Sequence, residues 1–202
     1  MGVRACGRSP VHRENSMSTP QIRDYLNKRI HMVGIGGSSM SGLCEMLLKQ
    51  GYTVSGSDRT HSHAVERLEN MGVPVAIGHA GENVAGAGLL IYSAAIHPDN
   101  PERAYAAEHG IPQIERAELL GQLMAGHHDA VCVSGTHGKT TTTGMIAQML
   151  LDCGLDPAVH IGGRVDALGG STRVGSERVF VAEACEYAGS FLQMRTLPGL
   201  AC

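Results

Sequence analysis

The sequence has no long apolar run and no cluster of basic residues. No apolar stretch reaches the ~18 residues that a membrane-spanning helix needs, and the 16 lysines and arginines are scattered along 202 residues. A nucleic-acid-binding protein usually carries a basic patch, whereas this chain has a formal net charge of −3. Its hydrophobic share of 43% is ordinary for a chain with a buried core. We therefore expect a soluble globular protein without a membrane or nucleic-acid partner.

The sequence also lacks the paired cysteines of a zinc site or a disulfide framework. None of its six cysteines forms a C-x-x-C pair, which points to reduced thiols and a cytoplasmic location. The closest histidine pairs, His61 with His63 and His127 with His128, have no cysteine or carboxylate at metal-ligand spacing. No apolar segment follows the charged N-terminus, so a secretory signal is not expected.

From residue 29 onward, short apolar runs alternate with helix-like segments. This alternation is typical of β-α-β units around a parallel sheet. We predict an α/β protein with an unstructured leader over 1–28, a Rossmann-like domain over 29–126 and the start of a P-loop-type α/β ATPase domain over 127–202. The predicted strands span 29–35, 52–58, 75–77, 88–96, 112–114, 130–134, 157–163 and 177–186, and the predicted helices span 40–51, 63–71, 100–110, 116–126 and 139–153. Too few strands follow residue 127 for a closed α/β domain, so we expect this chain to be a truncated piece of a longer protein.

The first glycine-rich turn, "GIGGSSMSG" over 34–42, joins a predicted strand to a predicted helix. Glycines before a helix N-terminus favour anion binding, because backbone N–H groups point at the ligand. Asp58 follows Gly34 by 24 residues, near where a dinucleotide-binding fold places its ribose carboxylate. Ser39, however, occupies the third glycine position of G-x-G-x-x-G. The turn alone therefore leaves open a nucleotide site, a nicotinamide dehydrogenase and a purely structural glycine turn.

The second turn, "SGTHGKTTTTGM" over 134–145, follows a predicted strand and begins a predicted helix. This is the context of a phosphate-binding loop, although Val133 stands where the general pattern has its first glycine. Lys139 would reach the terminal phosphates, and the hydroxyls of residues 140–143 would contact phosphate and metal. An acidic pair, Glu183 and Glu186, follows a later apolar strand, where an NTPase needs a carboxylate for magnesium; we favour Glu183.

Three segments, "HMVGIGGSSMSGLCEMLLKQGYTVSGSD", "GTHGKTTTT" and "EACEYAGSFL", together resemble the Mur ligase family of peptidoglycan synthesis. The family uses the shorter G-T-H-G-K-T loop. The resemblance implies a Rossmann-like N-terminal domain for a UDP-sugar, a central ATPase domain and a C-terminal domain that is absent from this sequence. The implied UDP-sugar-binding residues are Gly36, Gly37, Ser38, Ser39, Met40, Ser41, Asp58, His79 and Ser93. The implied ATP-binding residues are Gly135, Thr136, His137, Gly138, Lys139, Thr140 and Thr141.

The resemblance also implies a reaction, with ATP and Mg²⁺ as cofactors. Lys139 and Glu183 would be catalytic, and Thr140 and Glu183 would lie at Mg²⁺. UDP-N-acetylmuramate and L-alanine would be joined through an acyl phosphate. The alternatives are the related ligase that recycles a tripeptide, a non-catalytic nucleotide-sugar-binding remnant and, less favoured, the dehydrogenase.

Overall fold

The structure is a computed structural model that describes residues 19–165, 168–176 and 178–184. Glu186, weighed above as a carboxylate for magnesium, lies outside the described residues. None of the helices in the described ranges combines the length and the apolar character needed to cross a membrane.

The first part of the chain forms a five-stranded parallel sheet with the strand order β3-β2-β1-β4-β5. This is the predicted Rossmann-like arrangement, in which each strand is followed by a crossover. The strands are β1 (Arg29–Val33), β2 (Thr53–Asp58), β3 (Val75–Ile77), β4 (Leu89–Tyr92) and β5 (Gln113–Glu115), and the helices are α1 (Ser38–Lys49), α2 (His63–Asn70), α3 (Pro101–Glu108) and α4 (Arg116–Ala125).

The helix starts of this sheet follow from local sequence. The Ser62 side chain accepts a hydrogen bond from the Val65 N–H at 3.3 Å at the start of α2. Asn100 caps α3 by accepting from the Glu102 N–H at 2.9 Å, with Pro101 at the first helical position. α1 differs, because its cap residue Gly37 makes no side-chain cap hydrogen bond.

The second part forms a four-stranded sheet with the order β6-β9-β7-β8. Its strands are β6 (Asp129–Val133), β7 (Ala158–Val165), β8 (Gly170–Arg173) and β9 (Val179–Glu183), and α5 (Lys139–Asp152) follows β6. β6 and β7 pair in parallel with β9, while β8 is antiparallel to β7.

Helix α1 packs between the two sheets. It contacts β2 of the first sheet and both β7 and β8 of the second. One apolar cluster accordingly joins Met32 of β1 and Leu43 of α1 to Phe180 of β9. The opposite face of the first sheet has a separate cluster that includes Val33, Leu90 and residues of α3. Helix α1, which follows the first glycine turn, is thus packed from two sides.

Three predictions about local structure need correction. The leader is not unstructured throughout, because Ile22–Tyr25 form a 3-10 helix in which Ile22 is buried and its N–H donates to Gln122 Oε1 at 2.6 Å. β4 ends at Tyr92 instead of continuing to residue 96, since the chain turns at Ser93. β8 was not predicted at all, because "GSTR" has no apolar alternation and its four residues are only half-buried.

Candidate functional site: two glycine turns at the carboxyl ends of parallel strands

The first turn is held to the end of β2 by backbone and side-chain hydrogen bonds. The N–H groups of Gly34 and Ile35 donate to the Ser57 carbonyl at 2.8 and 3.0 Å. The Gly36 N–H donates to Asp58 Oδ2 at 2.8 Å. Gly34 has a φ of 72°, which favours glycine. Asp58 therefore shapes the turn.

Gly36 is required by close packing. A Cβ on Gly36 would lie 2.9 Å from Asp58 Oδ2, 2.9 Å from Val65 Cγ2 and 3.0 Å from Ser62 Oγ. The first two distances are shorter than real Cβ contacts, and the third is tighter than most. The turn consequently lies directly against the carboxylate of Asp58 and the start of α2.

The predicted UDP-sugar residues of α1 divide into accessible and inaccessible groups. Gly37 and Ser38 are exposed, whereas Met40 and Ser41 are only 3% and 2% exposed. The Ser41 hydroxyl also donates to the Ser38 carbonyl at 3.2 Å. Met40 could therefore contact a ligand at this helix start only through its backbone N–H. The Ser41 N–H already donates to the Gly37 carbonyl at 2.8 Å, so the prediction that Ser41 contacts the ligand is wrong: its place in the helix leaves it no free donor.

The hydroxyl of Ser39 is shared between two side chains that the sequence did not single out. Arg116 Nη1 donates to Ser39 Oγ at 3.0 Å, and His160 Nε2 lies 2.9 Å from the same oxygen. His160 comes from β7, so this contact connects the first turn with the second sheet. Burial, reinforced by the positive charge of Arg116, lowers the pKa of His160 to about 3. The ring is therefore neutral at physiological pH.

The remaining predicted residues of the first site lie at the same edge of the sheet. Ser93 begins the turn after β4 and accepts from the Ile96 N–H at 2.9 Å; a Cβ on Gly34 would lie 3.8 Å from Ile96 Cδ1. His79 follows Gly78, whose N–H donates to the Asp58 carbonyl at 2.8 Å. The carboxyl ends of parallel strands are where open α/β sheets bind ligands.

Sequence reasoning missed Glu102, which contacts His79. The Glu102 side chain is fully buried and lies 3.0 Å from His79 Nδ1. Ser57 Oγ donates to Glu102 Oε2 at 2.6 Å, and Asn83 Nδ2 donates to Oε1 at 2.7 Å. Its only sequence signal is a glutamate in the first turn of a helix, a position that normally indicates an exposed charge beside the helix dipole.

The second turn connects β6 to α5 and is open to solvent. Gly135, Thr136, His137 and Gly138 are all exposed. Gly138 is the cap residue of α5 with a φ of 78°, and a Cβ there would have no neighbour within 4 Å. The left-handed backbone alone therefore favours glycine at position 138.

Lys139, Thr140 and Glu183 converge at this turn. Lys139 Nζ donates to the Gly135 carbonyl at 2.6 Å, across the loop. Thr140 Oγ1 donates to Glu183 Oε2 at 2.9 Å, and the Gly162 N–H donates to the same oxygen at 3.0 Å. The end of β9 thus brings its carboxylate to the start of α5, 43 residues away in the chain.

The threonines of residues 140–143 lie in different environments. Thr141 is exposed at the helix start, whereas Thr143 is fully buried and its hydroxyl donates to the Lys139 carbonyl at 2.8 Å. The prediction that hydroxyls throughout residues 140–143 face phosphate and metal is therefore wrong for Thr143. Its hydroxyl bonds back to the preceding helical turn.

The donor set at the second turn fits a magnesium-nucleotide. Within the described residues, no group of three or more His, Cys, Asp or Glu side chains could hold a metal by itself. Mg²⁺ commonly takes one or two protein oxygens together with phosphate and water oxygens. Thr140 and Glu183 supply such a pair beside uncapped helix N–H groups and a lysine, as a phosphate site requires.

Together the two turns define a class of α/β protein with two candidate anion-binding turns, one on each sheet. Comparisons with known proteins identify the family. A family model described as "Mur ligase family, catalytic domain" matches residues 29–128. The UDP-N-acetylmuramate–L-alanine ligase of Acetivibrio thermocellus is 54% identical over 166 residues, which cover 82% of this chain and 35% of that protein. The chain belongs to the Mur ligase family and spans about a third of the length of this curated relative.

Solved structures agree with this assignment. The UDP-N-acetylmuramate–alanine ligase of Thermotoga maritima matches with a TM-score of 0.65 and 30% identity, over 78% of this chain and 37% of that one. The UDP-N-acetylmuramate:L-alanyl-gamma-D-glutamyl-meso-diaminopimelate ligase of Neisseria meningitides matches with a TM-score of 0.71 and 31% identity, over 79% of this chain and 53% of that one. The predicted fold class is confirmed, and family membership removes the basis for a dehydrogenase.

Proposed function

We propose that this chain supplies the nucleotide-sugar site and the ATP phosphate site of a ligase that joins L-alanine to UDP-N-acetylmuramate in peptidoglycan synthesis. The observation that carries the proposal is the second turn, where Lys139, Thr140 and Glu183 converge at the start of α5. The names of the relatives support the substrates. A cytoplasmic location is part of the proposal, because ATP is available there and thiols stay reduced.

The chemistry explains why such a ligase needs an ATP site. A carboxylate is a poor acyl donor, so its oxygen first attacks the γ-phosphorus of ATP; the bond to the β,γ-bridging oxygen breaks, ADP leaves and an acyl phosphate forms. The alanine amine then attacks the acyl carbon and gives up a proton, and phosphate leaves with the former carboxylate oxygen. Phosphoryl transfer is catalysed mainly by positioning and charge neutralisation.

The residues of the second turn are suited to those two tasks. The N–H groups at the start of α5 would orient the phosphates, and the Lys139 ammonium would neutralise charge on the terminal phosphate. Thr140 and Glu183 would hold Mg²⁺, which supplies further charge neutralisation when bound. The Gly162 N–H fixes the Glu183 carboxylate at the site.

The first turn is the proposed nucleotide-sugar site. The turn over 36–38 lies at the accessible start of α1. The Gly36 N–H bonds Asp58 and the Gly37 N–H bonds the Gly34 carbonyl, so the backbone N–H groups left for a diphosphate are those of the first helical residues, 38–40. Asp58, His79 and Ser93 lie at or just after the carboxyl ends of β2, β3 and β4, at the same edge of the sheet. Residues 29–126 would form the nucleotide-sugar domain, and residues from 127 onward would begin the ATPase domain.

Calorimetric titration tests the two sites separately. We expect the chain to bind both UDP-N-acetylmuramate and Mg·ATP. The Lys139→Ala variant should lose at least roughly tenfold in ATP affinity, because a charge-assisted phosphate contact disappears, while its affinity for the nucleotide-sugar stays unchanged. Lys28→Ala, which removes an equal charge at an exposed position, is the matched control. Equal ATP affinity in the wild type and in both variants would contradict the proposal.

The tripeptide-recycling ligase remains a second candidate because a structure of that activity matches with a TM-score of 0.71. Phosphate release from ATP discriminates the two in the presence of UDP-N-acetylmuramate. Release that depends on L-alanine supports the alanine ligase, and release that depends on the tripeptide supports the alternative. Binding of the nucleotide-sugar without ATP binding would instead identify a non-catalytic binding protein.

A further inference from the structure

Arg116 brings a positive charge to the start of α1. Its Nη1 donates to Ser39 Oγ at 3.0 Å, and Ser39 is the second residue of that helix. Arg116 itself begins α4 directly after β5, so it lies at the same edge of the sheet as the first turn. Sequence reasoning did not single it out, because 77 residues separate it from Ser39 in the chain.

The charge of Arg116 lies where two helices are least suited to a cation. The N-terminus of a helix carries a partial positive charge, so an anion is stabilised there and a cation is not. Arg116 is the first residue of its own helix and donates a hydrogen bond to the first turn of α1. The N–H groups of residues 38–40 add donors that have no partner within the helix. This position is therefore electrostatically unfavourable unless an anion lies beside it.

The described part of the protein supplies no carboxylate that balances this charge. Glu115 and Glu118 lie at the start of α4, but neither of these described residues forms an ion pair with Arg116. Burial, followed by the charge of Glu115, raises the pKa of Glu118. The two carboxylates thus act on each other and leave the guanidinium without a salt bridge.

His160, the other side chain at Ser39, does not balance the charge either. Its Nε2 lies 2.9 Å from Ser39 Oγ, and its Nδ1 lies 3.3 Å from Thr172 Oγ1. Burial, followed by the charge of Arg116, lowers the pKa of His160 to about 3, so the ring is neutral. Among the described residues Ser39 is the one acceptor of Arg116, which leaves most of the guanidinium N–H donors for a ligand.

We propose that Arg116 is a binding residue for the nucleotide-sugar: its remaining N–H groups donate to a diphosphate oxygen held at the start of α1. The inference rests on the proposed function, because that function takes the first turn as the nucleotide-sugar site. A guanidinium suits this role, since its fork of N–H donors matches two oxygens of a phosphate. The negative charge of the ligand then balances both the arginine and the helix start.

Calorimetric titration of Arg116→Gln tests the contact. We expect its affinity for UDP-N-acetylmuramate and for UDP to fall at least roughly tenfold, because a charge-assisted phosphate contact is lost. Arg116→Lys keeps the charge without the fork and should lose less affinity than Arg116→Gln. Arg67→Gln, which removes an exposed arginine paired with Glu45, is the matched control and should bind as the wild type does. Equal affinity in the wild type and in Arg116→Gln overturns the inference.

The two ligands separate the diphosphate from the rest of the nucleotide-sugar. UDP carries the diphosphate but has neither the sugar nor the carboxylate of UDP-N-acetylmuramate. A loss of similar size with both ligands supports a contact between Arg116 and the diphosphate. A loss confined to UDP-N-acetylmuramate would place the arginine at the sugar or its carboxylate and would overturn the diphosphate assignment.

Urea unfolding distinguishes a binding residue from a structural one. Because the cation lies at two helix N-termini without an ion pair, Arg116→Gln should be at least as stable as the wild type in the absence of ligand. Saturating UDP should raise the unfolding midpoint of the wild type more than that of the variant. A variant that gains as much from UDP as the wild type does overturns the inference, whatever its stability without ligand.

Chemical modification of the wild type keeps the inference testable even if Arg116→Gln does not fold. Phenylglyoxal modifies arginine side chains, and peptide mass spectrometry measures the rate at each of them. At about ten times the Kd of UDP only about a tenth of the protein is free, so the modification of Arg116 should slow roughly tenfold. That of Arg67 should not change. A rate at Arg116 that is the same with and without bound UDP overturns the inference.

The wild-type titrations separate this inference from the proposed function. A wild type that binds both ligands while Arg116→Gln binds them equally well contradicts the inference alone. A wild type that binds neither UDP nor UDP-N-acetylmuramate would instead contradict the proposed function and, with it, the role of Arg116.

Discussion

Replacing Gly42 with alanine tests how the two sheets meet. Gly42 is a buried residue in the middle of α1, where the helix contacts β8. A Cβ at this position would lie 1.9 Å from Thr172 Oγ1, 2.5 Å from Thr172 Cβ and 2.9 Å from Thr172 Cγ2. Because the clash includes the Cβ of a short, stiff side chain, rotation about χ1 cannot remove it. The helix and β8 would have to separate.

The expected cost follows from two opposing effects. Overpacking a core typically costs about 1–3 kcal/mol, while alanine gains about 1 kcal/mol over glycine within a helix. We expect a net loss of roughly 1–2 kcal/mol in the free energy of unfolding for Gly42→Ala. The matched control is Gly144→Ala in α5, where the nearest atoms are the Val165 methyls at 3.5 Å, an ordinary contact. That variant should be more stable by roughly 0.5–1 kcal/mol.

Urea unfolding followed by circular dichroism measures both variants. Thr172→Gly alone should lower the free energy of unfolding, because it weakens β8. In the Gly42→Ala background the same substitution should lower it less, because it also removes the clash. A Gly42→Ala protein as stable as Gly144→Ala would show that α1 does not lie against β8 in solution. The packing of the second sheet on α1 would then be wrong.

Three further predictions concern single side chains. His160 has a pKa of about 3 in the folded protein, so between pH 6.5 and pH 3 the unfolded chain binds a proton there and the folded protein does not. The free energy of unfolding should therefore fall with pH by up to about 1.4 kcal/mol per pH unit. The variant His160→Gln should lose this contribution to the pH dependence, as measured by urea unfolding at pH 4 to 7. Burial raises the pKa of Cys44 to about 12, so at pH 8 iodoacetamide should modify the exposed Cys153 at least tenfold faster than it modifies Cys44. Peptide mass spectrometry measures both rates, and comparable rates would contradict the burial of Cys44. Glu183→Gln should weaken ATP binding roughly tenfold with Mg²⁺ present but little with EDTA, and equal losses in both titrations would exclude a metal role for the carboxylate that Thr140 contacts.

Local sequence predicted the structure where a single residue or a hydrophobic period determines it. The β-α-β alternation predicted both sheets, because buried parallel strands and amphipathic helices have different hydrophobic periods. Gly34 and Gly138 were predicted at turns, and each adopts a positive φ there. Strand order could not be read in this way, since the position of β1 between β2 and β4 depends on which crossovers pack together.

Sequence reasoning failed where a side chain's partner lies far along the chain. Thr143 was grouped with its neighbours, but the helix turned its hydroxyl back to Lys139. Ser39 was assigned only to a ligand, although its hydroxyl meets a histidine 121 residues away. The short strand β8 became a strand by pairing with β7, not through any periodicity of its own.

The sequence by itself determined that two glycine turns precede helices, that one carries Lys139 and Thr140, and that the chain resembles the Mur ligases. These features are local, because a glycine, a lysine and a helix start act over a few residues. Only the tertiary structure gave the direct hydrogen bond between Thr140 and Glu183, which the resemblance had placed together at Mg²⁺, and buried Glu102 behind His79. Those contacts arise from the meeting of strand ends at one edge of a sheet, and that meeting is fixed by packing between elements that no stretch of sequence contains.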